Sequence, residues 1–169
     1  MLVLGVDPGL ALTGWALVDG EGGRLRLNAA GYWRTPAGLE QGSRLLQLWE
    51  EMGGILAAAR AGAVAMERLF FSRNTSTAMA VSEARGVLVC AVAKAQIPLV
   101  EYTPAEVKQS VTGSGTADKR QIARMVRLIL GEQLPSGPDD LSDACAVGIC
   151  HQHALGLRRA VSTAAGVGR

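Results

Sequence analysis

Four acidic side chains occupy positions where a folded chain rarely leaves charge unpaired. Asp7 follows the apolar run Leu2–Val6, and Glu67 ends a second apolar run. Such runs are typical of buried strands, where an unpaired carboxylate costs on the order of several kcal/mol. Asp140 and Asp143 stand at the start of a late helix, and their spacing places both on one helical face. We therefore expect these acids to have a cationic partner.

The residue types of this set indicate which cation it would hold. Oxygen ligands without His or Cys companions suit Mg²⁺ or Mn²⁺ rather than Zn²⁺. Ligands gather at the carboxyl ends of strands in open α/β sheets, and Asp7 and Glu67 both end strands. Four crowded acids repel one another unless cations neutralise them. Two ions about 3.5–4 Å apart are a common arrangement for in-line phosphoryl displacement.

Ordinary structural explanations remain open for three of these acids at this point. Asp140 and Asp143 could complement the dipole of their helix. Glu67 could end its strand and pair with Arg68. Asp7 has no comparable alternative, because its apolar run and the Pro-Gly that follows leave little room for an exposed charge.

The order of the elements predicts an α/β fold. Three extended segments, Leu2–Asp7, 11–18 and 25–33, are joined by short turns and should be antiparallel neighbours. A long amphipathic helix leads to the strand 62–66, and a further helix over 78–95 leads to a short strand over 97–100. We expect a five-stranded mixed sheet, with three antiparallel strands and then two parallel ones, flanked by helices. The Ala-rich helix over 78–95 could pack on the sheet or form a dimer contact.

Three more helices are predicted in the C-terminal half. The first begins at Thr103-Pro-Ala-Glu106, a capping box with Pro at the first helical position. Thr116 is expected to cap the second, whose outward face carries a row of arginines, and Ser136–Asp139 opens the last. The row consists of Arg120, Arg124 and Arg127. We expect a single domain over 1–157 and a disordered basic tail over 158–169.

Composition restricts the classes of protein to consider. The chain has 169 residues, of which 49% are hydrophobic, and a net charge of only +2, so total charge alone does not indicate a nucleic-acid partner. No apolar run approaches the roughly 18 residues of a membrane span, and no secretory signal is visible. The three cysteines lack ligand spacing, which favours a reducing compartment. We expect a cytoplasmic protein without a membrane partner.

A set of short motifs follows in a fixed order along the chain: Val6-Asp-Pro-Gly9 with Thr13-Gly14, Ala65-Met-Glu67 with Phe70, Val107-Lys-Gln109, Lys119, and Asp140-Leu-Ser-Asp143-Ala144. Taken together, these motifs resemble the RuvC family of Holliday-junction resolvases, and their order and spacing match from the first residue to about His153. The resemblance implies a ribonuclease-H-like fold and a homodimer that cuts four-way DNA junctions symmetrically with Mg²⁺ or Mn²⁺, in recombination and repair. It also implies 5′-phosphate and 3′-hydroxyl products and the branch-migration partners RuvA and RuvB.

The resemblance also assigns roles to individual residues. It makes the four acids the metal-binding catalytic residues, although Asp139 neighbours Asp140 and could exchange roles with it. Lys119 would contact phosphate near the active centre, and Lys108 would lie near the scissile strand. The catalytic set is then Asp7, Glu67, Asp140, Asp143 and Lys119.

Phe70 aligns with the residue that stacks on an unpaired base at the junction. Such a stack is worth about 1–3 kcal/mol per base. Packing in the core beside the active edge is the alternative for this side chain. Arg73 and Asn74, which follow on the same loop, are candidate contacts to the DNA backbone or bases.

Two other functions remain open at this stage. The pattern Asp-x-Gly-x-x-x-Thr over 7–13 also resembles the phosphate loop of actin-like phosphotransferases, but the chain is short for their two-lobed nucleotide cleft. A junction-binding module without catalysis is the other alternative. The presence of all four acids argues against it.

Overall fold

The computed structural model describes residues 1–68, 75–131 and 137–166. One mixed sheet has the strand order β3-β2-β1-β4-β5. Strands β1, β2 and β3 pair antiparallel, and β4 and β5 continue the sheet parallel to β1. The expected α/β fold with a five-stranded mixed sheet is therefore confirmed. The strands are β1 Leu2–Asp7, β2 Leu12–Glu21, β3 Arg24–Arg34, β4 Ala63–Glu67 and β5 Leu99–Tyr102.

Helices cover both faces of this sheet. Alternation along each strand divides its side chains between the faces, so Val3 packs towards α5 while Leu4 and Val6 pack towards α1 and α2. Helices α3 and α4 pack beside α5 on its face of the sheet. The helices are α1 Gln41–Ala59, α2 Thr75–Lys94, α3 Pro104–Thr112, α4 Lys119–Leu130 and α5 Asp139–Gly166.

Local signals in the sequence set two of the element boundaries as expected. Gly22 and Gly23 form the β2–β3 turn with φ of 57° and 81°, a conformation that favours glycine. At α3, the Thr103 hydroxyl accepts a hydrogen bond from the Glu106 amide at 3.2 Å, and the Glu106 carboxylate accepts one from the Thr103 amide at 2.7 Å. The predicted capping box is confirmed.

Other boundaries differ from the expectation. The N-cap of α4 is Asp118, not Thr116, because Asp118 and Gln121 close a reciprocal capping box with two bonds of 2.8 Å. Thr116 has Lys119 at the third position after it, which has no acceptor to close such a box. Helix α2 begins at Thr75, three residues before the expected start of this helix at 78. Strand β5 begins two residues later than expected.

The C-terminal segment also departs from the expectation of a disordered tail. Helix α5 continues through Gly166, so residues 158–166 are helical, and only 167–169 lie outside the described residues. Leu, Arg and Ala predominate between 157 and 165, and all three are strong helix formers. None of the helices in residues 1–68, 75–131 and 137–166 combines the length and apolar character needed to cross a membrane.

Glycines let α5 lie directly on the backbone of β1 and β2. A methyl group at Gly14 would collide with the carbonyl oxygen of Asp140, and one at Gly5 would lie 2.6 Å from the Gly148 amide nitrogen. Gly148 in turn faces Val18, whose Cγ2 would lie 2.8 Å from a methyl group there. The absence of side chains at these points therefore fixes how closely the helix approaches the sheet.

This packing predicts opposite effects for two Gly→Ala substitutions. Gly14→Ala should lower the free energy of unfolding by about 1–3 kcal/mol, because its methyl group must displace the start of α5. Gly53→Ala is the matched control: it lies exposed in α1 with open space around it, and should stabilise by about 0.5–1 kcal/mol. Urea unfolding measures both. Equal effects of the two substitutions would contradict the close approach at Gly14.

Candidate active site

Asp7 and Glu67 stand side by side at one edge of the sheet. Val6 pairs with Met66 in the parallel register of β1 and β4, so the next residues on the two strands are neighbours at about 4.8 Å strand spacing. Gly5 faces α5, and two residues later Asp7 faces the same side. Both carboxylates are partly buried at the carboxyl ends of their strands.

The loop after Asp7 is closed by a threonine. The Thr13 hydroxyl donates to the carbonyl oxygen of Gly9 at 2.6 Å and accepts from the Gly9 amide at 3.2 Å. Thr13 is fully buried, and the next residue, Gly14, pairs with Asp7. The loop therefore returns the chain to the sheet directly beside the acid.

Helix α5 brings its first turn to this edge. Gly14 lies against the backbone of Asp140, which places the start of the helix over the residue paired with Asp7. One turn later, Asp143 is partly buried, with 24% of its side chain exposed. Asp139 differs, since its side chain is 78% exposed. The charges of Asp139 and Asp140 both act on Asp143 and Lys119, and of the two only Asp140 also acts on Asp7.

Proton affinities at this edge follow from burial first and from the crowding of negative charge second. Burial, together with the carboxylates of Glu67, Asp143 and Asp140, raises the pKa of Asp7 to about 8. Burial also raises the pKa of Glu67, with a smaller contribution from Asp143. The pKa of Asp143 is raised by burial as well, although Lys119 opposes that shift. Acids from β1, β4 and α5 thus act on one another electrostatically.

Two lysines lie at the margin of the cluster. Lys119 Nζ is 3.6 Å from Asp143 Oδ2 and 3.7 Å from Asp139 Oδ2, and the Asp143 carboxylate raises the pKa of this lysine. Lys108, on α3, is close enough to Glu67 to lower the pKa of that carboxyl. Lys119 is exposed, so the two ion pairs contribute little to stability.

The chemistry of the cluster fits a divalent cation. Its donors are carboxylate oxygens only, the preference of Mg²⁺ and Mn²⁺, and the raised pKa of Asp7 reflects negative charge that a cation would offset. In residues 1–68, 75–131 and 137–166, however, no three acidic, His or Cys side chains are close enough together to enclose a metal ion. The carboxylates converge on one edge but do not form a closed cage.

Other residues singled out in the sequence take different positions. Phe70, Arg73 and Asn74 lie outside the described residues. His151 is buried, and its Nδ1 atom forms a hydrogen bond of 2.8 Å with the Tyr102 hydroxyl. His153 is exposed. The predicted arginine row on α4 is exposed along its whole length: Arg120, Arg124 and Arg127.

The sequence reasoning did not identify two residues that position the acids. Thr13 and Gly14 were noted only as part of a motif, although one closes the loop after Asp7 and the other admits the backbone of α5. The available signal was a glycine inside a strand, which often marks a close approach by another backbone.

Carboxylates gathered at the carboxyl ends of β1 and β4 in a mixed α/β sheet are an arrangement found in enzymes that act on phosphate esters, nucleases among them. The family model for crossover junction endodeoxyribonuclease RuvC matches residues 3–151. The chain belongs to the RuvC family of crossover junction endodeoxyribonucleases, enzymes that hydrolyse DNA at junctions between duplexes. This confirms the family, fold and activity inferred from the motifs, and it decides against the actin-like phosphotransferase.

The similarity extends over nearly the whole chain. The RuvC of Desulfitobacterium hafniense is 47% identical over 157 residues, covering 93% of this chain and 95% of that protein. The RuvC of Chloroflexus aggregans is 48% identical over 153 residues, covering 90% and 93%. A structure of T. thermophilus RuvC in complex with a Holliday junction substrate is 34% identical with a TM-score of 0.84, covering 89% of this chain and 92% of that one.

The raised pKa of Asp7 predicts how stability depends on pH in EDTA. The folded chain retains a proton on Asp7 that the unfolded chain loses, so stability should fall as pH rises from about 4 to about 8. Asp7→Asn removes the part of this dependence that Asp7 causes, while the raised pKa values of Glu67 and Asp143 keep the rest. It should stabilise the protein by about 4 kcal/mol at pH 7, since each of the roughly three pH units between the ordinary pKa of Asp7 and pH 7 is worth about 1.4 kcal/mol. Thermal unfolding across this pH range measures both chains. Parallel curves for the two proteins would show that Asp7 carries no such penalty.

Proposed function

We propose that this protein resolves four-way DNA junctions by divalent-metal-dependent hydrolysis of phosphodiesters, in recombination and DNA repair. The observation that carries the proposal is the convergence of acids from β1, β4 and α5 at one edge of a sheet whose chain belongs to the RuvC family. The nuclease domain is assigned to residues 1–157. The junction substrate is supported by the related T. thermophilus protein, whose structure contains a Holliday junction.

The proposed catalytic acids are Asp7, Glu67, Asp140 and Asp143, and they would hold two Mg²⁺ or Mn²⁺ ions. Bound by these acids, the ions would supply activation of a water molecule and charge stabilisation at the leaving 3′ oxygen, and the products would carry 5′-phosphate and 3′-hydroxyl ends. The burial of Asp7 and Glu67 restricts access of bulk water to their carboxylates. Thr13 keeps the loop after Asp7 closed, so this acid keeps a fixed position relative to α5.

Two lysines are proposed to act on the phosphate rather than on the acids. The ammonium group of Lys119 is exposed and only 3.6–3.7 Å from acids at the rim, a position from which it can reach a bound phosphate. A cation at the start of α4 gains nothing from the helix dipole, so its position is not explained by helix stability. Lys108, near Glu67, would contact the strand being cut.

Further DNA contacts are proposed on the chain after β4. Phe70 would stack on an unpaired base at the branch point, and Arg73 and Asn74 would contact the backbone or bases beside it. The supporting observation is their place in the chain, because β4 ends at Glu67 in the acidic cluster, three residues before Phe70.

A homodimer is proposed because symmetric cutting needs two sites. The side of α2 that includes Ala84, Leu88 and Val92 is buried in the core, which supports the core-packing alternative for that side. Its other side exposes Met79 at 66% and is the proposed dimer surface. RuvA and RuvB are proposed as partners in the cytoplasm.

A synthetic four-way junction tests the function directly. The protein is incubated with labelled junction and with plain duplex of the same sequence, in Mg²⁺, in Mn²⁺ and in EDTA. Paired, symmetric nicks in the junction that depend on metal support the proposal, and their ends should be religated by DNA ligase. A gel shift without cutting in any metal would instead indicate a binding module.

The geometry distinguishes the neighbouring acids Asp139 and Asp140. Asp140→Asn should reduce the single-turnover cutting rate by at least about 100-fold, because its charge acts on Asp7 in the cluster. Asp139→Asn is the matched control. Because the Asp139 side chain is exposed at the rim, this substitution should change the rate by less than about threefold. If the two effects were reversed, Asp139 would be the catalytic acid of this turn.

Phe70→Ala tests the proposed base stack. Loss of the ring should slow junction cutting by about 5- to 100-fold while binding to plain duplex is preserved, since a duplex offers no unpaired base. Binding and single-turnover cutting are measured on the same preparation, with thermal unfolding to check the fold. A variant with unchanged cutting and a lower unfolding temperature would assign Phe70 to packing.

A further inference from the structure

Tyr32 is a large aromatic side chain left at the surface beside the catalytic edge. It is 43% exposed, whereas Trp33 on the other face of β3 is buried. Tyr32 pairs with Gly14, and Gly14 pairs with Asp7. Directly paired residues point to the same face, so the ring and the Asp7 carboxylate share the face that carries α5. Two strand spacings separate them, roughly 10 Å.

The surroundings of the ring leave one side of it accessible. The backbone of Asp140 lies over Gly14, between Tyr32 and Asp7. Gly137, just before α5, is also near the ring, since a methyl group there would lie 3.8 Å from ring carbon Cε1. The ring therefore lies beside the start of α5, and 43% of Tyr32 still faces solvent.

Arg34 supplies a cation at the same place. Its guanidinium carbon lies 5.9 Å from the centroid of the Tyr32 ring, and its side chain is exposed. Among the described residues no carboxylate lies within 4.0 Å of this guanidinium, and none accepts a hydrogen bond from it. An arginine held over an aromatic ring keeps its donors directed outwards, a geometry suited to phosphate.

We propose that Tyr32 and Arg34 form a second DNA contact, on the opposite side of Asp7 from Glu67. The ring stacks on a base of the strand being cut, and the guanidinium binds a backbone phosphate of the same strand. The separation of roughly 10 Å corresponds to about three nucleotides at 3.4 Å each, which sets the distance of this contact from the cut. The inference rests on the proposed nuclease function, because the strand must lie along the acidic edge.

Fluorescent junctions locate the stacked base. 2-Aminopurine is placed singly at each of about four positions on either side of the cut, and the full chain is bound in EDTA. One position should be brighter in the complex with Tyr32→Leu than in the complexes with wild type or Tyr32→Phe, because only the Leu variant lacks the ring. The Leu variant should also bind the junction about 5- to 50-fold more weakly. Equal brightness at every position and equal affinity would overturn the contact.

Arg34 is tested by the salt dependence of binding. Arg34→Gln should reduce the slope of log affinity against log salt concentration by about 1, the value for one lost phosphate contact, and Arg34→Lys should restore it. An unchanged slope for the Gln variant would remove the phosphate contact. Leu157→Ala is the control, because Leu157 is 68% exposed and lies far from the start of α5. This substitution should leave the salt-dependence slope and the 2-aminopurine brightness unchanged.

The outcomes separate this inference from the nuclease function itself. Each variant is compared with wild type by thermal unfolding, and Tyr32→Phe retains the ring if the Leu variant unfolds. If wild type cuts the junction in Mg²⁺ but Tyr32→Leu behaves as wild type throughout, only the second contact is wrong. If wild type fails to cut in any metal, the nuclease proposal is wrong, whatever the binding results for Tyr32.

Discussion

Helix α5 lies directly on the backbone of β1 and β2, because glycines on both elements leave no side chains between them. Gly5 faces the α5 backbone at Gly148, and Gly14 faces it at Asp140. The interior on this face is close-packed, with Ala144 and Val147 fully buried. The direction and depth of the helix are therefore fixed by contact with the sheet backbone, and so is the position of its first turn over the edge that carries the acids.

That contact has an electrostatic consequence. It holds acids from the helix beside acids from two strands in a partly buried place, and the pKa of Asp7 rises to about 8 as a result. A fold under selection for stability alone would not keep this charge there, since burial without compensation is unfavourable. The destabilised carboxylate is instead understandable as a ligand for a cation. The exposed Lys119 at the margin of the cluster and the exposed Arg34 on β3 are understandable as contacts for a polyanion.

Local signals explain most of what the sequence could predict. The apolar run that ends in Asp7 and the capping box at Thr103 are each decided by neighbours in the chain, and both elements form as expected. The start of α4 was misplaced even though Asp118 and Gln121 carry the correct local signal, because Thr116 is also a common N-cap type. Residues 158–166 are helical although they are small, polar and basic, because several of them are strong helix formers and they continue a helix that is already formed.

Long-range packing accounts for the rest. The four acids could be grouped from their residue types and from their places at strand and helix ends. Which of Asp139 and Asp140 faces Asp7 depends on the rotation of α5, which is set by its contact with Gly14. The nearness of Tyr32 to the same edge depends on the β2–β3 register, which includes a shift between Leu17 and Val18 that the strand pattern does not reveal.

The central claim is that the packing of α5 on the sheet creates a site for divalent cations between β1, β4 and the first turn of the helix. Anomalous diffraction from crystals soaked in Mn²⁺ tests it most directly, because the signal identifies the metal independently of the refined side chains. The account predicts strong peaks bounded by the carboxylates of Asp7, Glu67, Asp140 and Asp143. Peaks found only elsewhere on the protein, with these carboxylates directed apart at saturating Mn²⁺, would contradict it.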